Sequence, residues 1–302
     1  MESARALTPQ GDIPEARTTI RQDLTEVVTD LWKYRELLFT LAKRDITVRY
    51  KQAVMGFAWA LLMPMLLVTA GLIIRLAIAS VSGRTLTPGT AGVLAVKGLC
   101  WSFFVGTIAF SSASLTGASA LVSKVYFPRE VLPLSSLIAQ CFDTCIAATA
   151  VSMALQFLGG RFTPALVWVP LLLLILLMFS MATALFLSCA NLFFRDVKYI
   201  VQILVTFGVF FTPVLFEATL LGPRFAPLIM LNPIAPILEG MRLTMFQGHS
   251  LLEPLMVLSA KGIPVVAWQP WYLGYSAAWA VGGLGASALM FHRAEFLFAE
   301  YL

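Results

Sequence analysis

The sequence predicts an all-α membrane protein with six transmembrane helices, an amphipathic interfacial helix before them and a re-entrant helical hairpin on the outer side. Three observations carry this. Of the 302 residues, 59% are hydrophobic and 12% charged, against about 45–50% and about 25% in a soluble domain. A water-soluble globule of this size could not bury so much apolar surface. The apolar residues fall into blocks of about 20, the length a helix needs to cross the hydrocarbon core, and a basic segment precedes the first block. The same composition excludes a soluble enzyme, a disordered chain, a disulfide scaffold and a nucleic-acid-binding domain.

Taken in order, residues 1–20 carry Pro9, Gly11 and Pro14 among small and charged residues and read as a flexible tail without a signal-peptide core. Within 21–51, Leu24, Val27, Val28, Leu31, Leu38, Leu41 and Ala42 recur at three- and four-residue steps. Lys33, Arg35, Lys43, Arg44, Arg49 and Lys51 fall among them, which gives a basic amphipathic helix too charged to cross a bilayer. The transmembrane domain, 53–291, divides into spans at about 53–75, 98–122, 134–157, 165–190, 199–216 and 268–291. The second is rich in small residues, which allow close helix packing. The third carries Gln140 and Asp143, the one carboxylate at mid-span. Residues 217–247, with Glu217, Asn232, Pro233, Glu239 and Arg242, are too polar to span once and too apolar for a free loop. Two short re-entrant helices fit, because broken backbone at membrane depth must face protein or a watery cavity. Residues 248–267 read as an extended outer loop and 292–302 as a tail.

Trp32, Trp101, Trp168, Trp268 and Trp271 read as interfacial anchors, and Cys100, Cys141, Cys145 and Cys189 as small buried hydrophobes. With both termini in the cytoplasm, 14 basic residues lie inside and 7 outside, Arg75, Lys97 and Arg242 among the latter. The positive-inside bias favours that orientation, and the N-terminal arm supplies most of it.

Several chemistries are missing from the sequence. It has no G-x-x-x-x-G-K-[ST] phosphate loop, no H-E-x-x-H and only two histidines, His249 and His292. No metal site, catalytic residue or cofactor is expected on this chain. Energy for transport therefore has to come from a partner.

Four groups of residues stand out. Lys124, Phe127, Pro128, Arg129, Glu130 and Pro133 form a short rigid insert that fits either partner docking or an ordinary inter-helix loop. Arg195-Asp196 fits a capped helix end. Arg44, Arg49 and Lys51, where the basic arm enters the first span, suit a lipid-linked pyrophosphate or generic anionic lipid equally. Phe103, Phe104, Phe110, Phe207, Phe210 and Phe211 could line a conduit, since aromatic faces stack on sugar rings without fixed register, or could face lipid and neighbouring helices.

Arg44-Asp-Ile-Thr-Val-Arg-Tyr-Lys51, then Gly56-Phe-Ala-Trp59 and Pro64, resembles the start of the permease subunits of polysaccharide and polyol-phosphate ABC exporters, the ABC-2 type. Phe127-Pro-Arg-Glu130 with Pro133, Asn191-Leu-Phe-Phe-Arg-Asp-Val197, Phe211-Thr-Pro213, and Leu231-Asn-Pro233 through Arg242 are similar to further segments of that family, in order. The resemblance implies the ABC-2 permease fold and a homodimer in a bacterial inner membrane. It also implies two copies of an ABC ATPase that bind ATP and Mg, and a lipid-linked glycan of the O-antigen, capsule or teichoic acid class as cargo. It places ATPase coupling on the 124–133 insert with Arg195 and Asp196, and an outer gate on Glu217, Asn232, Pro233, Glu239 and Arg242. An ABC-2 exporter of a small lipophilic molecule is the alternative. A membrane enzyme acting on lipid phosphates is disfavoured by the shortage of histidines and mid-membrane carboxylates.

Overall fold

The computed structural model describes residues 20–51, 56, 58–82, 88–125, 127–160, 162–258 and 262–301. The expected tail, apart from Ile20, lies outside them, as do Arg84, Arg161 and Lys261.

The chain is almost wholly helical. The basic arm forms two helices rather than one, α1 (Ile20–Lys33) and α2 (Arg35–Tyr50). They part at Tyr34, whose φ of −95° and ψ of 19° leave the helical region. Neither Gly nor Pro marks that break in the sequence. Helices α3 (Ala58–Ser82), α4 (Pro88–Ser112), α5 (Ser114–Gly117) and α6 (Ser119–Lys124) follow, then α7 (Val131–Leu155), α8 (Trp168–Phe193) and α9 (Val197–Phe211). Two short helices, α10 (Gly222–Ile229) and α11 (Ala235–Arg242), occupy the Pro-rich region. An antiparallel hairpin, β1 (Leu255–Leu258) with β2 (Pro264–Trp268), stands where an open loop was expected. Helix α12 (Pro270–Ala294) and the short α13 (Phe298–Tyr301) complete the described chain.

Among the described residues, four stretches are long and apolar enough to cross a membrane: Ala58–Ala77, Gly89–Ser112, Val131–Leu155 and Pro164–Phe193. Helix α12 has 25 residues, about 37 Å at 1.5 Å per residue. Helix α9 has 15, about 22 Å, shorter than the roughly 30 Å hydrocarbon core.

The second helix begins ten residues earlier than its composition suggests. Lys97 reads as a loop charge in the sequence, yet it sits inside α4 and is fully buried. A buried counter-charge allows the helix to run through it. After Ser112 the small-residue stretch breaks into α5 and α6 instead of continuing the span.

Two apolar clusters define the bundle's ends. The larger joins α4, α8, α11, β2 and α12 with the chain after α9, through Phe104, Leu172, Leu238, Trp268, Tyr272 and Val214. The smaller gathers Leu41, Leu115, Phe127, Leu132, Leu185, Phe291 and Phe298. At this second end Asn191 Nδ2 donates to the Ser112 carbonyl at 2.9 Å, tying the ends of α8 and α4. Arg293 Nη2 meets Asp23 Oδ2 at 2.8 Å there, joining α12 to α1. The arm is thus packed against the bundle, α2 along α7 and α1 along α12. Trp101 and Trp268 lie in the larger cluster rather than at an interface, and Trp268 Nε1 donates to the Leu251 carbonyl at 2.8 Å.

Candidate transport sites at the two ends of the bundle

The arm is anchored on the third span. Asp143, on α7, pairs with Arg49 Nη1 and accepts the Tyr50 hydroxyl at 2.6 Å. Arg49 also donates to Gln140 Oε1 at 3.3 Å, and its guanidinium lies 3.7 Å from the Phe110 ring centroid, within cation–π range. Burial and the bond to Asp143 raise the Tyr50 hydroxyl above its ordinary range, so it stays a donor. Of the three basic residues expected to meet a lipid headgroup, Arg49 is therefore committed to a carboxylate. Arg44 is half exposed and pairs with Asp45 at 2.9 Å, and Lys51 is exposed. Arg44 and Arg49 line one open cavity of about 410 Å³ between α2, α5 and α7, with Phe110, Ser114 and Ser135.

The 127–130 segment at the same end is held largely from within. Phe127 is buried in the smaller cluster, and Pro133 is buried in the first turn of α7. The Arg129 N–H donates to Glu295 Oε1 at 3.0 Å, and its guanidinium donates to the Glu295 carbonyl. Glu130 is buried, with Oε1 at 3.4 Å from His292 Nδ1. Burial and the neighbouring Glu295 charge push its carboxyl up to about 7, and burial also raises that of Glu295. Lys124 closes α6. Pro128 and Arg129 keep part of their surface open, and Arg195 and Asp196, between α8 and α9, are exposed. The expected coupling set thus divides into an outward group, Pro128, Arg129, Arg195 and Asp196, and an inward group, Phe127, Glu130 and Pro133.

The far end holds a charge network that joins three of the expected outer-gate residues, Glu217, Glu239 and Arg242, to Arg75 and Lys97. Lys97 Nζ reaches Glu239 Oε1 at 2.9 Å and the carbonyls of Pro213 and Phe216 at 2.9 and 3.2 Å. Glu239 also accepts from Arg242 Nε at 2.5 Å and from the Ala218 N–H at 3.1 Å. Glu217 lies between Arg75 at 3.3 Å and Arg242 at 3.8 Å. Three helices and the chain after α9 are joined through five charges. Glu239 is more deeply buried than the mid-span Asp143, at 1% against 14% side-chain exposure, and Arg75, Lys97 and Arg242 are network members rather than loop charges. Asn232 Nδ2 donates to Thr212 Oγ1 at 2.9 Å, and Ser276 donates to the Pro233 carbonyl at 2.7 Å.

The aromatic set splits as well. Phe103 and Phe104 are core residues, Phe104 packing 5.8 Å from Trp101 and 5.7 Å from Phe179 between centroids. Phe110 carries Arg49. Phe207, Phe210 and Phe211 present an open face on α9, with Phe211 74% exposed, and Phe110 keeps 49% of its surface open beside Arg49.

A family model described as ABC-2 type transporter matches residues 36–246, from the start of α2 to the turn after α11. The chain belongs to the ABC-2 type transporter family. This ABC-2 chain is also similar to proteins named O-antigen export system permease protein RfbA. The one from Myxococcus xanthus is 28% identical over 249 residues, 81% of this chain and 94% of the relative. One from Klebsiella pneumoniae is 26% identical over 231 residues, 76% and 87% respectively. The matched region takes in both charged centres, the Arg49–Asp143 anchor and the Lys97–Glu239 network. His292 and Glu295, which meet the 127–130 segment, lie beyond the matched residues. No local motif signals the network, because its directly paired members lie up to 142 residues apart. The one available signal is a lysine inside an otherwise unbroken apolar stretch.

Proposed function

We propose that this chain is the membrane-spanning permease of an ATP-driven exporter that moves a lipid-linked polysaccharide across a bacterial cytoplasmic membrane. The observation that carries this reading is the set of relatives named for O-antigen export, which align over most of their own length and most of this chain. In this reading a second copy of the chain completes the passage, and two ABC ATPase chains supply ATP- and Mg-dependent motion. The wide apolar faces of α3 and α9, including Trp59, Ile73 and Ile203, give the second copy and the lipid a surface to cover.

The proposed topology has six crossings, α3, α4, α7, α8, α9 and α12, with both ends of the chain cytoplasmic. The Asp23–Arg293 contact supports an even number of crossings between those residues. The short α9, followed by the broken α10 and α11 beside Lys97, supports a re-entrant outer region. Anionic carrier lipid gathers at the Arg44 side of the arm. ATPase closure is transmitted through Pro128, Arg129, Arg195 and Asp196. The glycan passes along Phe207, Phe210 and Phe211, and the Glu217–Arg242 region closes the outer mouth.

Two experiments test this. Deleting the gene from its host should abolish the surface glycan and leave lipid-linked glycan inside; an unchanged surface would overturn the cargo. Charge reversal at Arg195, an exposed residue, should reduce co-purification of the ATPase without lowering the melting temperature. An intact complex with normal coupled ATPase activity would remove the docking assignment.

A further inference from the structure

We infer that Glu130, His292 and Glu295 form a binding site for one divalent transition-metal cation, where the 127–130 segment meets the end of α12. Each offers a ligand atom, and the three atoms lie within 4.8 Å of one another. His292 Nδ1 and Glu130 Oε1 are 3.4 Å apart, close to the roughly 3.3 Å that separates two ligands each about 2.0–2.1 Å from a tetrahedral ion. Glu295, part-exposed, offers the third oxygen within the same 4.8 Å.

A second observation concerns Glu130 itself. Its side chain is 3% exposed, and its buried Oε1 makes no hydrogen bond of good geometry, with His292 Nδ1 at 3.4 Å as its facing partner. Such an oxygen is costly to bury unless a cation meets it.

The surroundings are those of a built site. Glu26 Oε2 lies 3.6 Å from His292 Nε2, so a carboxylate stands behind the imidazole on the side away from the ligand pair. The Arg129 N–H holds Glu295 Oε1 at 3.0 Å. Outer partners of this kind orient metal ligands and raise their basicity. The charge balance also favours a cation. Asp23, Glu26, Asp30, Glu130 and Glu295 gather at this junction. Of the two arginines present, Arg293 is taken by Asp23 and Arg129 by the Glu295 carbonyl.

One imidazole and two carboxylates, without thiol, suit Zn²⁺ or its first-row neighbours better than Mg²⁺ or Ca²⁺, which take all-oxygen sets. His292 and Glu295 are part-exposed, which gives the ion a path in and leaves a position for water. A bound ion would lock the segment between α6 and α7 to the end of α12. This site does not depend on the proposed cargo or on the docking role of Arg129. Sequence spacing could not show it, because its ligands lie 165 residues apart at the extremes.

The test uses the untagged full-length chain in detergent, stripped with chelator and titrated with ZnCl₂ or CoCl₂ at mildly alkaline pH. Uptake of about one equivalent is expected, with a visible Co²⁺ ligand-field band and a higher melting temperature. His292→Ala and Glu130→Gln should abolish uptake. Glu26→Gln changes an exposed side chain that leaves the fold intact, and should weaken affinity about 10- to 100-fold. His249→Ala, the other histidine, should bind like the unaltered chain. A stripped unaltered chain that takes up neither metal would overturn the site, as would equal affinity in the His292→Ala and Glu26→Gln variants.

Discussion

Lys97 Nζ lies 2.9 Å from Glu239 Oε1, and the two side chains are 0% and 1% exposed. Such a pair owes its persistence to complete pairing, because either charge alone is strongly disfavoured in an apolar interior. Lys97→Met leaves Glu239 to Arg242, and Glu239→Gln leaves Lys97 with two carbonyls. Each single change should cost about 3–5 kcal/mol, read as a lower melting temperature of the purified chain. The double variant should lose less than the sum of the two. Strict additivity would mean that the two groups do not interact.

Asp143 gathers Arg49 and Tyr50 from the arm. Asp143→Asn removes the counter-charge while keeping the shape. Hydrogen exchange across residues 44–50 should then accelerate about tenfold or more, with α8 unaffected; a buried hydrogen bond to a charged group contributes about 1.5–3 kcal/mol. Unchanged exchange would mean that the arm is held by its apolar face alone.

Gly106 lets α4 approach α7. A Cβ there would stand 2.5 Å from Gln140 Cδ, whereas at Gly117 it would meet nothing within 4 Å. Gly106→Leu should therefore lower the melting temperature sharply, since overpacking costs typically about 1–3 kcal/mol or more. Gly117→Ala should be neutral or stabilising by up to about 1 kcal/mol. A thermal melt of the two variants side by side decides this.

The aromatic residues should separate into two kinds of phenotype. Phe104→Ala opens the core and should cost about 3–5 kcal/mol, lowering the amount of folded protein. Phe207→Ala with Phe211→Ala touches exposed side chains and should leave the melting temperature unchanged while surface glycan falls several-fold. Unchanged surface glycan in that pair would remove α9 from the conduit.

The sequence was most legible where chemistry is local. Blocks of apolar residues placed four membrane-capable helices, because the cost of unpaired backbone in lipid leaves little choice of structure. The mixed polar and apolar character of 217–247, with Pro233 inside it, agrees with the short α10 and α11. Asp143 stood out as a mid-span carboxylate, though its partner Arg49 was read as facing lipid, since nothing local shows that the arm folds back onto α7. The boundary of α4 was misplaced because a lysine in isolation reads as a loop, and its neutralising partner comes 142 residues later. The hairpin of β1 and β2 was hidden because its strands are only four and five residues long. Phe103 and Phe207 look alike in composition, and only packing shows that one is enclosed and the other open.

The contact between Asp23 and Arg293 also fixes an order of events. Residue 23 leaves the ribosome long before residue 293 has been made. The first described helix therefore gains its contact with Arg293 only once the last long helix is inserted. A nascent chain halted before residue 290 should leave that helix open to protease, so the earliest-made element is the last to reach its final place.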